Sequence, residues 1–324
     1  MVTRIAPVAG LFVLAPFVGE FLLGNLTLDE LGLGVVLAPM YGLGAVLVRE
    51  VARRWGGGWA SIGLLAAAYA LVEEGPVDQL LWNDSYAGQD LLHGPSYLPA
   101  LGMGVELTQA VLALHTVWSI CVPIALVEAF VPDPRPWLGR VGLTVVGVLF
   151  VLGGVLVFWG NYSVEHFVAS PWQIGGVVVV IVGLIAGAYR IRGWRPSGVD
   201  IEAPSPWLVG VVALLGTSAY WGPAVLVTAD WCEWIGVVVW CVMAVVGIRF
   251  IARWSGTNGW DDRHRFALAA GATLTYVWTA FPAQPESGGQ DFAANTVFGA
   301  IGLLVLALAG RAVAARRVEA EPIG

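Results

Sequence analysis

Long runs of apolar residues recur along the chain and constrain its fold more than any other feature. A helix that crosses ~30 Å of hydrocarbon needs about 20 mostly apolar residues. Runs of this length, bounded by charged or turn-forming residues, lie at 5–24, 31–49, 58–82, 104–131, 141–160, 172–189, 207–227, 233–250, 266–282 and 292–310. The sequence therefore predicts an all-α, polytopic integral membrane protein with about ten transmembrane helices.

The sixteen arginines indicate how these helices are oriented. The chain has no lysine, and positively charged residues near helix ends stay on the cytoplasmic side of a membrane. When the N-terminus is placed inside, every arginine falls in an inner connection or an inner terminus. The outer connections 83–103, 161–171 and 283–291 then contain none. We therefore expect both termini to be cytoplasmic and the protein to lie in a bacterial cytoplasmic membrane.

The chain is expected to form one transmembrane domain over 1–324. An inner linker at 193–206, rich in Pro and Ser, separates helices 1–6, at 1–192, from helices 7–10, at 207–324. The first apolar run carries Glu20 and lacks a small-x-small cleavage pattern, so we interpret it as a retained helix and not as a signal peptide.

Composition excludes nucleic-acid binding and gives no sign of a bound metal. Only 12% of the residues are charged and the net charge is −7, so few cationic side chains are available to neutralise the phosphates of a nucleic acid. The mean hydropathy is +0.77. The three cysteines, Cys121, Cys232 and Cys241, are an odd number without metal-ligand spacing. We expect no cofactor, and as partners only membrane lipid and a small apolar or prenylated substrate that enters from the bilayer.

Three acidic residues stand in the third apolar run, where an ionisable side chain costs about 2.5–3.5 kcal/mol on insertion scales. They are Glu73, Glu74 and Asp78. Glu74 and Asp78 are four residues apart and so share one helix face, which Trp82 continues a turn further. Pro76 cannot donate a backbone hydrogen bond, so we expect the helix to kink or open beside the acids. Two carboxylates cannot both ionise cheaply there, so one is expected to keep its proton and act as an acid.

The fourth apolar run supplies a partner, His115, which can accept or relay a proton. Ser119 lies one turn along on the same helix face. Glu20 and Glu106 stand near the outer ends of their own runs, and the sequence leaves open whether they join the site. The candidate catalytic residues are Glu73, Glu74, Asp78 and His115.

Aromatic residues are the second signal, because ring faces stabilise positively charged species. Several of the sixteen tryptophans stand at the ends of the runs, as in the usual interfacial belt, whereas other aromatic residues lie deeper and could line a cavity. Packing in a helical core would explain any one of them as well. The candidate substrate contacts are Trp82, Trp118, Ser119, Tyr41, Tyr69, Tyr220, Tyr276 and Trp278.

The segment Ala-Leu-Val-Glu-Glu, followed about forty residues later by Leu-His, resembles the first two motifs of the CAAX-type intramembrane glutamate proteases. That family pairs a double glutamate, here Glu73 and Glu74, with a histidine, here His115. It has an arginine four positions after its second glutamate, where this chain has Asp78. Its later His-x-x-x-Asn motif corresponds here to His115 and Ser119. The resemblance implies a hydrolase in which a glutamate activates water with His115 assisting.

The whole chain resembles the membrane-bound terpene cyclases of bacterial indole-sesquiterpenoid pathways in its size, its composition and its intramembrane acids, which are not accompanied by a set of metal ligands. This resemblance rests on overall character and not on a motif. It implies protonation of an alkene or epoxide of a prenyl chain, cyclisation through carbocations and deprotonation. We therefore expect proton-initiated terpene cyclisation, with Asp78 or Glu74 as the acid and His115 orienting the acids or taking the final proton. A CAAX-protease-like hydrolase and a proton-coupled transporter are the alternatives.

Overall fold

A computed structural model describes residues 5–196, 198–227, 229–283 and 289–320. Within these residues the chain is mostly helical. The α-helices are α1 (Ile5–Pro16), α2 (Leu31–Arg54), α3 (Trp59–Val72), α4 (Val105–Ala113), α5 (Val122–Phe130), α6 (Arg140–Glu165), α7 (Pro171–Arg190), α8 (Pro206–Leu226), α9 (Asp230–Trp254), α10 (Asp262–Thr279) and α11 (Phe292–Ala320).

Three π-helical turns extend or join these α-helices. The first turn (Phe17–Phe21) follows α1, the second (Glu73–Val77) follows α3, and the third (Leu114–Cys121) joins α4 to α5. Short 3₁₀ segments lie at Leu28–Glu30 and Tyr86–Gly88. Each predicted apolar run thus coincides with helical structure in the described part of the chain.

Eight helical segments among the described residues are long and apolar enough to cross a membrane. They are Leu28–Arg54, Trp59–Val77, Val105–Phe130, Arg140–Glu165, Pro171–Arg190, Pro206–Leu226, Asp230–Trp254 and Phe292–Arg316. Two further predicted runs are helical but are not among these eight segments. The segment Ile5–Phe21 is shorter, and α10 begins with charged residues. That all ten cross the membrane, and that both termini are cytoplasmic, stay predictions.

The third predicted run extends to residue 82, and in this respect the prediction is wrong. The helical structure ends at Val77, because Pro76 has no backbone N–H to continue the α-helical pattern. Gln79 then takes a left-handed conformation, with φ of 61°, which turns the chain away from the helix axis. Trp82 therefore does not continue the helix face of Glu74 and Asp78.

Arginines near helix ends are linked by contacts at one end of the bundle, which we call the arginine face (Arg49, Arg53, Arg54, Glu128 and Arg135). Arg49 is fully buried and lies 3.0 Å from carboxylate oxygens of both Glu50 and Glu128. Its guanidinium also lies 3.4 Å from the centre of the Trp137 ring. Arg4 lies outside the described residues.

The opposite end of the bundle, which we call the loop face, carries the segment 83–104. This segment includes a small antiparallel pair of strands, β1 (Tyr97–Leu98) and β2 (Met103–Gly104). Carboxylates at the ends of neighbouring helices hold it in place. Glu165 accepts from the backbone N–H of Ala87 at 2.7 Å, and Glu233 accepts from that of Ser96 at 2.7 Å. Of the predicted outer connection 283–291, residues 284–288 lie outside the described part.

The predicted linker 193–206 contains a short strand, β3 (Val199–Glu202), which the sequence interpretation did not foresee. It pairs in parallel with β4 (Thr257–Asn258), between α9 and α10. His264 Nε2 lies 2.9 Å from the carbonyl oxygen of Pro204, which joins the end of the linker to the start of α10.

The central helices pack on one another, whereas the peripheral helices expose apolar side chains. The third π turn and α3, for example, are largely buried, and α10 packs against α5, α8 and α11. By contrast α6 leaves most of its valines and leucines exposed, and α9 exposes Val238, Val242, Val245 and Ile248. A helix that is apolar all round is typical of a membrane span. The polar groups of the central helices are therefore screened from lipid by a ring of apolar ones.

Candidate functional site

Each of the three π-helical turns carries a polar residue that the sequence singled out. The first contains Glu20, the second Glu73 and Glu74, and the third His115 and Ser119. A π turn is rare and is found frequently at functional sites. These three turns bring chemically active side chains from separate spans to one place in the interior.

A proline stands next to each π turn and supplies a physical reason for it. Pro16 precedes the first turn, Pro76 lies inside the second, and Pro123 follows the third. Because proline lacks the N–H that would close an α-helical turn, the neighbouring carbonyls must find other donors. In the second turn, for example, the N–H of Asp78 donates to Glu73 O at 2.7 Å, which is the wider i→i+5 pattern.

The centre of the site is the group of side chains that we call the acid–histidine cluster (Glu73, Glu74 and His115). His115 Nδ1 lies 2.8 Å from Glu73 Oε2, and His115 Nε2 lies 2.7 Å from Glu74 Oε1. The three residues are 4%, 1% and 1% exposed for His115, Glu73 and Glu74. One imidazole is thus held between two buried carboxyl groups.

The second π turn explains how adjacent glutamates reach both sides of one ring. In a π turn each residue rotates the chain by less than in an α-helix, since more residues make up one turn. The side chains of Glu73 and Glu74 therefore diverge less than neighbours on an α-helix would. Ser119 Oγ lies 3.3 Å from His115 Nδ1, so this ring nitrogen faces a hydroxyl as well as a carboxylate.

Glu20 lies next to the acid–histidine cluster and is connected to it through Tyr41. The Tyr41 hydroxyl donates a hydrogen bond to Glu20 Oε1, and the Asn25 amide donates to Oε2 at 3.2 Å. The Tyr41 ring meets the His115 ring edge-on, with centroids 5.5 Å apart. Glu20 is itself buried.

Gly19 permits this close approach of the first and third π turns. A Cβ at this position would lie 2.7 Å from Ser119 Oγ and 3.0 Å from Tyr41 Cε1. Both distances are shorter than side chains tolerate without moving. The absence of a side chain at Gly19 therefore brings Glu20, Tyr41 and Ser119 into contact range.

Glu106 lies apart from the cluster. It is the second residue of α4, and its backbone N–H donates to Ser96 Oγ at 3.0 Å, which places it at the loop face. His115 lies nine residues further along, or roughly 14 Å at the rise of an α-helix. Glu106 therefore belongs to the contacts of the loop segment.

Tyr69 and Asp78 lie at the edge of the cluster. The Tyr69 ring centroid is 6.5 Å from that of His115, and its buried hydroxyl faces Glu73 without a hydrogen bond of ordinary geometry. Asp78 is half-buried, follows the second π turn and accepts from the Asn161 amide at 3.4 Å. It lies within electrostatic range of both glutamates.

A second group, which we call the aromatic cluster, consists of Trp118, Tyr220, Trp221, Trp240 and Tyr276. The Trp118 and Tyr276 rings are parallel with centroids 4.6 Å apart, and those of Tyr220 and Trp240 are stacked at 4.9 Å. Trp221 connects the two pairs, at 5.7 Å from Trp118 and 6.4 Å from Trp240. The sequence analysis named Trp118, Tyr220 and Tyr276 as substrate contacts. Nothing in the sequence distinguished Trp221 from the tryptophans expected at the membrane interface.

Two other predicted substrate contacts lie elsewhere. Trp82 packs with Leu81 and Val111 in a separate apolar cluster near the loop face. Trp278 donates to Ser218 Oγ at 2.9 Å and packs beside Gly222. Both positions are accounted for by packing between helices.

Two cavities among the described residues are lined by side chains other than those of the acid–histidine cluster. The larger is an apolar groove of about 290 Å³ between α1, α2 and α6, lined by Phe12, Pro39, Leu43, Leu149, Leu152, Gly153 and Leu156. The smaller lies at the arginine face, near Glu128 and Asp262. Among the described residues, no group of three His, Cys, Asp or Glu side chains could hold a metal ion.

Comparison with known proteins places the chain at the level of a family. A model described as an uncharacterized membrane protein family matches residues 11–316. No curated protein and no solved structure is similar enough to count as a match. Together with the eight apolar helices, this match identifies an integral membrane protein.

Proposed function

The chain belongs to this uncharacterized membrane protein family, and from its own geometry we propose that it is a membrane-embedded acid–base enzyme. Its substrate is an apolar, prenyl-type molecule that enters from the bilayer. Its reaction is a cyclisation that begins with a proton from the acid–histidine cluster. The observation that carries the proposal is the placement of a buried carboxyl group at each ring nitrogen of His115.

The number of protons in this cluster supports a donor. Net charge is costly in a low-dielectric interior, and no arginine is recorded in contact with Glu73, Glu74 or His115. Two carboxylates and a neutral imidazole carry a charge of −2, so the cluster is neutral when it binds two further protons. These protons lie either on both glutamates or on one glutamate and the imidazole. At least one carboxyl group carries a hydrogen in each case. The cluster can therefore give a proton and take one back, as an isomerisation requires.

The proposed reaction uses one proton as a catalyst. A carboxyl group, which we assign to Glu74, breaks its O–H bond and forms a C–H bond at a terminal alkene, or an O–H bond at an epoxide. The resulting carbocation is attacked by the π electrons of the chain, which closes a ring. A proton is then lost from carbon to His115 or Glu73. The product has the mass of the substrate, and no cofactor takes part.

The aromatic cluster supports a cationic reaction. Trp118 belongs to the same π turn as His115, and its ring begins a continuous series of five aromatic rings. Electron-rich ring faces attract cations by roughly 0.5–2 kcal/mol per contact. These rings would stabilise a carbocation once the prenyl chain lies among them.

A mass-balanced turnover assay tests the proposal. Membranes containing the protein are incubated with a prenylated indole, and the expected product has unchanged mass and altered retention. Glu74→Gln is expected to abolish this product, whereas Glu106→Gln, at the loop face, is the matched control and should retain it. A Glu74→Gln protein with full activity would show that the assignment of the acid is wrong.

Labelling with dicyclohexylcarbodiimide tests the donor without a known substrate. This apolar reagent forms an N-acylurea with carboxyl groups that are protonated and accessible from the membrane. We expect it to modify Glu74 or Glu73, and mass spectrometry of the digested protein identifies the site. Unmodified glutamates under conditions that label a reference membrane carboxyl would contradict the proposal.

A glutamate-dependent hydrolase is the second candidate, because Ser119 Oγ and a carboxylate both face His115 Nδ1. In that reaction Glu73 or Glu74 takes a proton from water, and the hydroxide attacks a carbonyl carbon of a membrane-anchored substrate. Its signature is a cleaved peptide and not a product of unchanged mass. Uptake that depends on a proton gradient, with no chemical product, would instead indicate the transporter alternative.

A further inference from the structure

Polar groups leave the acid–histidine cluster in one direction only among the contacts recorded for the described residues. Towards the loop face they continue through Tyr41 and Glu20 to Asn25. Glu20 is buried, whereas Asn25 is partly exposed at the end of the first span. A line of polar side chains thus runs from the interior to the surface, with a ring contact between His115 and Tyr41 and hydrogen bonds from Tyr41 outward.

Towards the arginine face the interior is apolar. The residues of α2 between Tyr41 and Val48 have apolar side chains or none, and Arg49 follows eight residues after Tyr41, or about 12 Å along the helix. In the fourth span the buried residues after Ser119 include Ile120 and Ile124. Arg49 is itself held by Glu50 and Glu128. This layer separates the cluster from the charges at that face.

We propose that Glu20 and Tyr41 form a proton-transfer pair that connects the acid–histidine cluster to water at the loop face, so that the cluster exchanges protons with that side of the membrane. The inference extends the proposed function, for which it names the source of the proton. The exchange itself takes place whether or not a substrate is bound, and so it can be measured separately.

The transfer step is balanced in bonds and protons. A proton from the loop face first binds the Glu20 carboxylate. The Tyr41 O–H bond then breaks as an O–H bond forms on Glu73, and the Glu20 O–H bond breaks as that of Tyr41 forms again. The net result is that one proton moves from Glu20 to Glu73. Gly19 supports this step because, without a Cβ, it leaves room for the Tyr41 ring beside Ser119.

Several titratable groups from neighbouring elements face this line and take part in its charge balance. Tyr41 experiences the fields of Glu20, Glu73, Tyr69 and Asp78. Tyr276, from α10, lies in range of Glu20. The His115 imidazole, which the Tyr41 ring meets edge-on, completes this set and can carry a positive charge.

Infrared spectroscopy after a pH jump on one side of a vesicle tests the proposal. The protein is reconstituted, and its orientation is determined by protease cleavage of the segment 83–104. The carboxyl band of the cluster is assigned by its loss in Glu73→Gln and Glu74→Gln. We expect this band to follow a pH jump at the loop face and to respond much more slowly to a jump at the arginine face.

Variants of the proposed pair complete the test. Glu20→Gln and Tyr41→Phe should slow the response from the loop face by about tenfold or more, the scale of a lost proton-transfer group. Glu106→Gln, the control at the same face, should leave it unchanged, and circular dichroism verifies folding. A band that follows the arginine face, or that is equally fast in Tyr41→Phe, overturns this inference and leaves the donor assignment intact. A cluster with no titrating carboxyl band overturns both.

Discussion

A methyl group at Gly19 is expected to push apart the first and third π turns. The new Cβ would lie 2.7 Å from Ser119 Oγ and 3.0 Å from Tyr41 Cε1. Overpacking of this kind costs roughly 1–3 kcal/mol, whereas replacing glycine by alanine inside a helix gains about 1 kcal/mol. We therefore expect Gly19→Ala to lower the free energy of unfolding by up to about 2 kcal/mol.

Removal of the hydroxyl group that the methyl group meets should relieve much of this cost. In a Ser119→Ala background the closest contact is gone, and the cost of Gly19→Ala should fall by about 1 kcal/mol, within the usual range of coupling between touching residues. A double-mutant cycle, measured by unfolding in a denaturing detergent, gives this coupling directly.

Gly63→Ala provides the matched control. Gly63 also lies inside a helix, in α3, but a Cβ there would have nothing within 4 Å. This variant should be as stable as the wild type or more stable. An equal effect of both glycine substitutions, or the same cost of Gly19→Ala with and without the Ser119 hydroxyl, would refute the reasoning.

Three further predictions follow from contacts outside the cluster. Arg49→Met removes the fully buried cation between Glu50 and Glu128, which keep only the less buried Arg54 and Arg53, and should lower the free energy of unfolding by roughly 3–5 kcal/mol; a loss below about 1 kcal/mol, typical of exposed pairs, would contradict the burial. Trp118→Ala removes a fully buried ring that stacks on Tyr276 and should cost about 3–5 kcal/mol, and unchanged unfolding would argue against a packed interior there. The side-chain hydrogen bond from His93 lowers the pKa of Asp90, so their contact is present above the ordinary pKa of an aspartate and is lost as the pH falls through the lowered value. Limited proteolysis of the segment 83–104 should therefore accelerate at acidic pH, and Asp90→Asn should remove this dependence.

The acids and the histidine could be predicted from the sequence because each is conspicuous against an apolar background. Three acids in the third run and His115 in the fourth are costly in lipid, so their presence alone indicated a common interior site. The structure places Glu73 and Glu74 in contact with His115. Glu20 could not be assigned in this way, because a residue near the end of a span is equally explained by contact with water.

The positions of the aromatic residues were less predictable. The sequence predicts that Trp82 continues the helix face of Glu74 and Asp78. The left-handed conformation of Gln79 ends that face before residue 82. Trp221 and Trp240 lie in α8 and α9, far from Trp118 in sequence, and only the packing of these helices brings their rings together.

The order of residues is enough to predict that the chain spans a membrane as helices, because long apolar runs can satisfy their backbone hydrogen bonds in lipid only in that form. The sequence also shows which ionisable side chains have a high free-energy cost of burial. The tertiary structure alone decided how they are paired. Three π turns, each next to a proline, and a glycine without a side chain bring Glu20, Tyr41, Ser119 and the acid–histidine cluster together, and such contacts depend on distances between helices that no local pattern records.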